Sequence, residues 1–409
     1  MNFEARYEVV VTGGGIAGVA AALQAARSGK KTVLVEKTVL LGGLATTGLV
    51  YIYLPLCDGN GHQVTFGICE ELIRLSLKYG PGEIPASWKT GSDLTEVKRY
   101  RCIFSPAAFM LALDEVLEEA GVDIWLDSLV CGVEKDAENH LTGIIIENKS
   151  GRGMIHGSRF IDASGDCEVA RRGGAPCSAS ENFLSVWALQ YHKDAAALSP
   201  GVGMYVGGCS AGGDPLDAET IARRGLSESD LKIEPGISGR KVTDFVLNGR
   251  RLLREHYRRA HEERGFDRNN LYALKLPAMA QFRKVYCIDG AYILQPGENQ
   301  KCFEDSIGMV GDWRKAGPVW EIPYRTLYPK DGPLGLLAAG RCTSACGDAW
   351  EITRVIPTAA MTGQVAGLAA AMSLDAGVDP SGLDVQNLRR ELRNLGFKLH
   401  LPEAGLEYA

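Results

Sequence analysis

The chain has 409 residues, 45% of them hydrophobic and 23% charged, and its 44 basic and 50 acidic residues leave a formal charge of −6. That length is more than one core usually organises, so two lobes are expected, and the acidic balance offers no electrostatic footprint for nucleic acid or an anionic membrane. No apolar run is long enough to span a bilayer, and the residues from Met1 run straight into a predicted strand without room for a signal peptide. Eleven scattered cysteines with no CxxC pair argue against a disulfide framework and against a cysteine-ligated metal cluster. A cytoplasmic protein without metal, whose partners are small molecules, is expected; oligomeric state is left open.

Val9-Val10-Val11-Thr12 reads as a buried strand, Gly13-Gly14-Gly15-Ile16-Ala17-Gly18 as the turn into an alanine-rich helix, and Thr32-Val33-Leu34-Val35 as a second strand ending at Glu36 and Lys37. In this arrangement Gly13 allows the tight turn, Gly15 lets backbone amides approach a pyrophosphate, and Gly18 lets helix and strand pack closely. The helix N-terminus then faces the phosphates, and Glu36 stands where a carboxylate accepts both ribose hydroxyls of an adenosine. A dinucleotide cofactor follows from this unit. The next stretch, Leu40 to Gly48, is made of small residues that let a flat group pass close to the backbone.

Further along, Gly67 to Tyr79 predicts an amphipathic helix stopped by Gly80-Pro81, and 81–101 a polar surface loop. Ser105-Pro106 opens a helix with Phe109, Leu113, Val116 and Leu117 as its buried stripe and Gly121 at its end. The segments 122–133 and 143–148 alternate like strands, and Arg159 to Asp166 is an apolar run ending in small residues, as expected of a buried parallel strand beside a ligand. From 173 to 319 the character changes to glycine turns (Gly201 to Gly213), strand-like runs such as Val285 to Ile288, and one long basic helix over 243–264. This part is read as an inserted α+β lobe that covers the cofactor and binds substrate. Residues 320–409 return to the first lobe, with a buried strand at 336–340, a helix of small residues from Thr358 to Leu374 opened by Pro357, and a last amphipathic helix over 384–395 carrying Val385, Leu388, Leu392 and Leu395.

Taken together, the opening unit, LLGGLATTGL, FSPAAFMLALDEVLEEAGV, IIIENKSGR with FIDASGD, and the block from Trp320 to Gly367 resemble the FAD-dependent oxidoreductases of the glutathione-reductase-like flavoprotein superfamily, which has two dinucleotide-binding domains. The resemblance implies an α/β fold: a Rossmann-like FAD-binding domain formed by 1–172 and 320–409, with 173–319 inserted. It implies that Gly13, Gly15, Ile16, Ala17 and Gly18 hold the pyrophosphate and that Glu36 and Lys37 bind the adenosine ribose. Gly42, Gly43, Leu44, Ala45 and Thr46 would line the ribityl chain and flavin, Val130 would bond adenine through its backbone, and Ala163, Ser164 and Gly165 would close over the adenosine side. One departure stands out. The superfamily's glycine-aspartate pair at the ribityl chain is Gly340-Arg341 here, with Asp348 a nearby acid. No histidine is placed for a covalent link, so FAD is expected to be held noncovalently.

A flavin takes or gives the hydride itself, and few catalytic side chains are needed. The helix starting at Pro357-Thr358-Ala359 can aim free amides at the negative end of a reduced flavin. Arg283, Arg325 and Arg354 are candidates to clamp a substrate carboxylate, the alternative being ion pairs across the lobe boundary. His62 and Tyr286 are candidate proton donors, and Cys342 with Cys346 a candidate redox pair. Hydride transfer between flavin N5 and a small organic substrate, anionic if the arginines clamp it, is therefore the expected reaction, its direction open. The alternatives are an NAD-dependent dehydrogenase and a non-catalytic flavoprotein that passes electrons to a partner, the latter kept open by the lack of a second nucleotide fingerprint.

Overall fold

The computed structural model describes residues 1–84, 102–184, 186–193, 232–233 and 235–408. Most of the polar loop expected over 81–101 and the glycine turns from Gly201 to Gly213 lie outside the described residues. The chain forms two compact units: Met1–Gly43, Ile52–Ser178 and Tyr286–Ala409 make the first, Leu44–Tyr51 and Ala179–Val285 the second. The second unit thus takes in a short piece of the glycine-rich segment read as cofactor-lining, and the first resumes at Tyr286, upstream of the boundary placed at 320.

Besides short two-stranded pairs such as Ser306–Gly311 with Val319–Pro323, the first unit holds a five-stranded and a four-stranded sheet. The strands of these two larger sheets are β1 (Phe3–Arg6), β2 (Val9–Thr12), β3 (Thr32–Val35), β4 (Asp123–Trp125), β5 (Leu129–Lys135), β6 (Leu141–Asn148), β7 (Gly151–His156), β8 (Arg159–Asp162) and β9 (Leu336–Ala338). Five of them form a wholly parallel sheet in the order β9-β8-β2-β3-β4. β2 and β3 are buried at every residue, as a parallel strand covered on both faces requires. The remaining four make a second sheet in the order β1-β7-β6-β5. Val10, Val33, Phe160 and Leu336 from the parallel sheet share one apolar cluster with Val130, Ile144, Ile146 and Ile155 from the other.

Helix α1 (Ile16–Arg27) joins β2 to β3, α2 (Pro106–Glu119) leads into β4, and α3 (Ile356–Asp375) follows β9. Ser105 caps α2 as expected, its Oγ accepting from the Ala108 amide. The small residues of α3 have a packing cause: a Cβ on Gly363 would come within 2.1 Å of the Ala17 carbonyl oxygen, and one on Gly367 within 2.3 Å of that of Ala21. A four-residue glycine repeat on α3 therefore rides along a four-residue alanine repeat on α1. The last helix, Val385–Asn394, buries Leu388 and Leu392 but leaves Leu395, its C-cap, exposed.

In the second unit the basic helix runs from Gly239 to Glu263, capped by Ser238, and buries Phe245, Gly249, Leu253 and Ala260. A two-stranded antiparallel ribbon, Leu189–His192 with Leu271–Lys275, accompanies it. The Phe245 and Phe282 rings meet at 4.2 Å. Leu44–Tyr51 is held in this unit by the Ala278 amide donating to the Thr47 carbonyl at 3.0 Å and by Gln281, whose side chain donates to the Gly48 carbonyl. Among the described residues no single helix is long and apolar enough to cross a membrane.

Candidate functional site

In the parallel sheet the chain leaves β2 toward β3 and β4 on one side and toward β8 and β9 on the other, so the carboxyl ends of β2 and β8 form a topological switch point, where such sheets bind ligands. The loops following these two strands touch there. Gly13 has φ +98° and a Cβ on it would lie 2.5 Å from the Ala163 carbonyl oxygen; one on Gly18 would strike the Gly13 carbonyl at 1.8 Å. At Gly15, by contrast, a Cβ would meet nothing within 4 Å. The first two glycines are thus required by packing, whereas Gly15 borders open space at the start of α1. No side chain caps that helix and its first turn carries no acid, so its amides are left for an anion.

Glu36, only 8% exposed, ends β3. Its Oε2 accepts from the Gly14 amide at 2.7 Å and its Oε1 from the Thr38 amide at 2.9 Å, which fixes the carboxylate beside the glycine turn. Beside it lies a cavity of about 340 Å³, partly open to solvent, lined among others by Gly13, Glu36, Lys37, Val130 and Ser164. Five residues singled out from the sequence, spread over four segments, therefore converge on one space. Thr12, Ser128 and Glu168 line it as well and were not anticipated. The Thr12 Oγ1 is buried with no hydrogen-bond partner among the described residues, and its place directly before Gly13 was the available signal. An adenosine with its pyrophosphate fits this donor set: a buried carboxylate for the ribose, an orphaned hydroxyl, an open glycine and free helix amides.

Next to the cavity, Asp166 lies 3.8 Å from the Lys37 ammonium and 3.5 Å from the Arg341 guanidinium. Gly165, at φ +80°, lies beneath that guanidinium, where a Cβ would come to 2.2 Å of it. Arg341 is thus directed at Asp166, and Asp348 is paired with Arg314. Gly42 and Gly43 lie against the glycine turn, the Gly42 amide donating to the Gly14 carbonyl at 2.7 Å. Leu44, Ala45 and Thr46, which complete that segment, belong to the second unit.

The first turn of α3 holds Pro357, carries no acid and no side-chain cap, and has Thr358 fully buried with its hydroxyl on the Ile352 carbonyl. Gly340 bridges the two helices: its amide donates to Thr362 Oγ1 at 3.0 Å, and a Cβ on it would lie 2.7 Å from that of Ala17 and 3.7 Å from that of Ala359. The N-terminal turns of α1 and α3 therefore meet at one glycine, which places two helix dipoles on the same side of the sheet.

Two of the three candidate arginines are in acid pairs. Arg325 holds Asp305 with two nitrogens, at 2.9 and 3.1 Å, and Arg354 holds Glu351, both pairs within the first unit. Arg283, 6% exposed, belongs to the second unit, where its guanidinium lies 6.0 Å from the Trp187 ring. His62 is paired with the buried Asp58 at 3.0 Å, and the Arg171 guanidinium covers the Tyr286 ring at 4.0 Å. Cys342 and Cys346 have separate surroundings: the Cys342 sulfur accepts from the Cys167 amide, while Cys346 contacts Gln295.

The family described as FAD dependent oxidoreductase matches residues 8–182 and 227–392. A stretch of 77 residues is 36% identical to thioredoxin reductase of Ureaplasma parvum serovar 3, covering 19% of this chain and a quarter, 25%, of that protein. Among solved structures, a geranylgeranyl bacteriochlorophyll reductase-like protein from Thermoplasma acidophilum is similar over 98% of this chain and 87% of its own, at 16% identity and a TM-score of 0.48. The FrdA chain of Escherichia coli quinol fumarate reductase is similar over 96% and 74%, at 11% identity and a TM-score of 0.48. With the family match spanning most of its length and a switch-point site suited to the adenosine and pyrophosphate of FAD, the chain belongs to the FAD-dependent oxidoreductase family.

Proposed function

We propose that this protein transfers a hydride between its flavin and a small, anionic organic substrate held by the second unit. Bound FAD supplies the hydride acceptor or donor at its N5 position. The protein supplies position and charge. Gly15 and the first turn of α1 receive the pyrophosphate, Glu36 the ribose, and the first turn of α3, free of acids and proline-started, presents amides and a partial positive charge that favour a reduced, negatively charged ring. Arg283, buried in the second unit, is the guanidinium assigned to a substrate carboxylate. The observation that carries the reading is the meeting of the α1 and α3 N-termini at Gly340.

The purified protein is expected to be yellow, with about one FAD per chain that acid or heat releases, and to lose its visible bands when its substrate is added without oxygen. A flavin that stays with the denatured chain would refute noncovalent binding. Bleaching by a reduced partner protein, with no small molecule able to do the same, would replace hydride transfer with electron transfer.

A further inference from the structure

Within the second unit, the helix Gly239–Glu263 forms one wall of a cleft of about 290 Å³, part of it open to solvent, and the segment Pro277 to Gln281 lines it with Val186. Its lining is mainly apolar, with Val186, Phe245, Val246 and Met279 contributing. Gly249 sits in the middle of the helix, where glycine costs about 1 kcal/mol relative to alanine. A Cβ there would stand 3.3 Å from that of Val186, so the glycine permits this close approach of helix and wall.

Two polar residues border the cleft. Gln281 is buried and committed, its side chain accepting from the Trp187 amide at 2.8 Å and donating to the Gly48 carbonyl. Arg250 is exposed. Three other arginines of this helix find acids within a turn, Arg240 pairing with Asp244 and Arg258 and Arg259 with Glu255, whereas Arg251 and Arg254 do not line the cleft. Among the described residues no carboxylate pairs with Arg250. The space therefore combines an apolar body with a cation available at its edge.

We propose that this cleft binds a small apolar monocarboxylate, its hydrocarbon body against Val186, Phe245 and Met279 and its carboxylate on the Arg250 guanidinium. The assignment concerns binding alone and stands whichever substrate the flavin serves. Because Gln281 forms part of the wall and also holds Gly48, the cleft adjoins Leu44–Tyr51 within the second unit.

Calorimetric titration of the FAD-loaded protein with sodium hexanoate, and with 1-hexanol as the neutral control, tests the proposal. Wild type is expected to bind hexanoate saturably at one site per chain. Arg250→Gln should weaken hexanoate roughly tenfold, the loss of one charge-assisted contact, and leave hexanol unchanged. Ala280→Phe fills the cleft from the segment Pro277 to Gln281 and should abolish both; Val246→Phe fills it from the helix, one turn before Arg250, should Ala280→Phe fail to fold, with flavin absorbance and melting temperature checking integrity. Absence of saturable hexanoate binding in wild type, hexanoate affinity unchanged in a folded cleft-filling variant, or an equal loss of hexanoate and hexanol in Arg250→Gln would each overturn it.

Discussion

Glu36 does two things with one carboxylate. Its oxygens accept the Gly14 and Thr38 amides, and the lone pairs that remain face the cavity where the ribose is assigned. In Glu36→Gln the shape is kept, but one oxygen becomes an NH₂ that must point at an amide donor or displace a ribose hydroxyl. Hydrogen bonds to a charged group contribute about 1.5 to 3 kcal/mol, so FAD affinity should fall at least roughly tenfold, as a flavin-release titration would read. Wild-type affinity in this variant would remove Glu36 from the ribose. Residue identity carried this site far because an acid after a second strand has one favoured use in such a unit. Thr12 and Arg341 were not legible in the same way: a threonine ending a strand is ordinary, and the Arg341–Asp166 pair depends on loops 175 positions apart in the chain, Asp166 to Arg341, being brought together by the sheet.

At the scale of elements, periodicity found most of the helices and the buried strands, since alternation and apolar runs are local properties. What it did not find was why α3 is made of small residues. The sequence suggested only a proline-started helix facing a flavin; the structure adds a contact with α1 so close that Gly363 and Gly367 have no room for a side chain. Gly363→Ala should therefore force α1 and α3 apart, at about 1 to 3 kcal/mol for an overpacked interface, and also lower FAD affinity, because the α1 turn that receives the pyrophosphate moves with the helix. Gly382→Ala, where a Cβ meets nothing within 4 Å, is the matched control and should melt like wild type. Equal melting temperatures for the two variants would mean that the helices have slack at Ala17. The pairing of helices was illegible because it joins segments near the two ends of the chain, and a small-residue pattern gives no hint of its partner.

At the scale of the whole molecule, the opening βαβ unit and the return of the chain to the first lobe were readable from motif order, whereas the division of labour between units was not. The short segment Leu44–Tyr51 leaves the glycine turn and joins the second unit through bonds to Ala278 and Gln281, which no local pattern announces. The arginines follow the same logic, and separating them is a decisive test of where substrate charge is met. Arg325 already has both oxygens of Asp305, so Arg325→Met should leave that carboxylate, in a residue 8% exposed, without its cation. An effect of about 1 kcal/mol, a fall of a few degrees in melting temperature, is expected, with the rate of substrate-dependent flavin bleaching unchanged. Arg283→Met changes a residue of the second unit, whereas Gly13, Gly15 and Glu36, assigned to the pyrophosphate and ribose, belong to the first, so FAD should be retained while bleaching slows. The two measurements on the two variants should therefore cross: stability falls in one and rate in the other. Were Arg325→Met instead to slow bleaching at unchanged stability, the substrate carboxylate would belong to Arg325, and the Asp305 pair would be the arrangement that a bound substrate displaces.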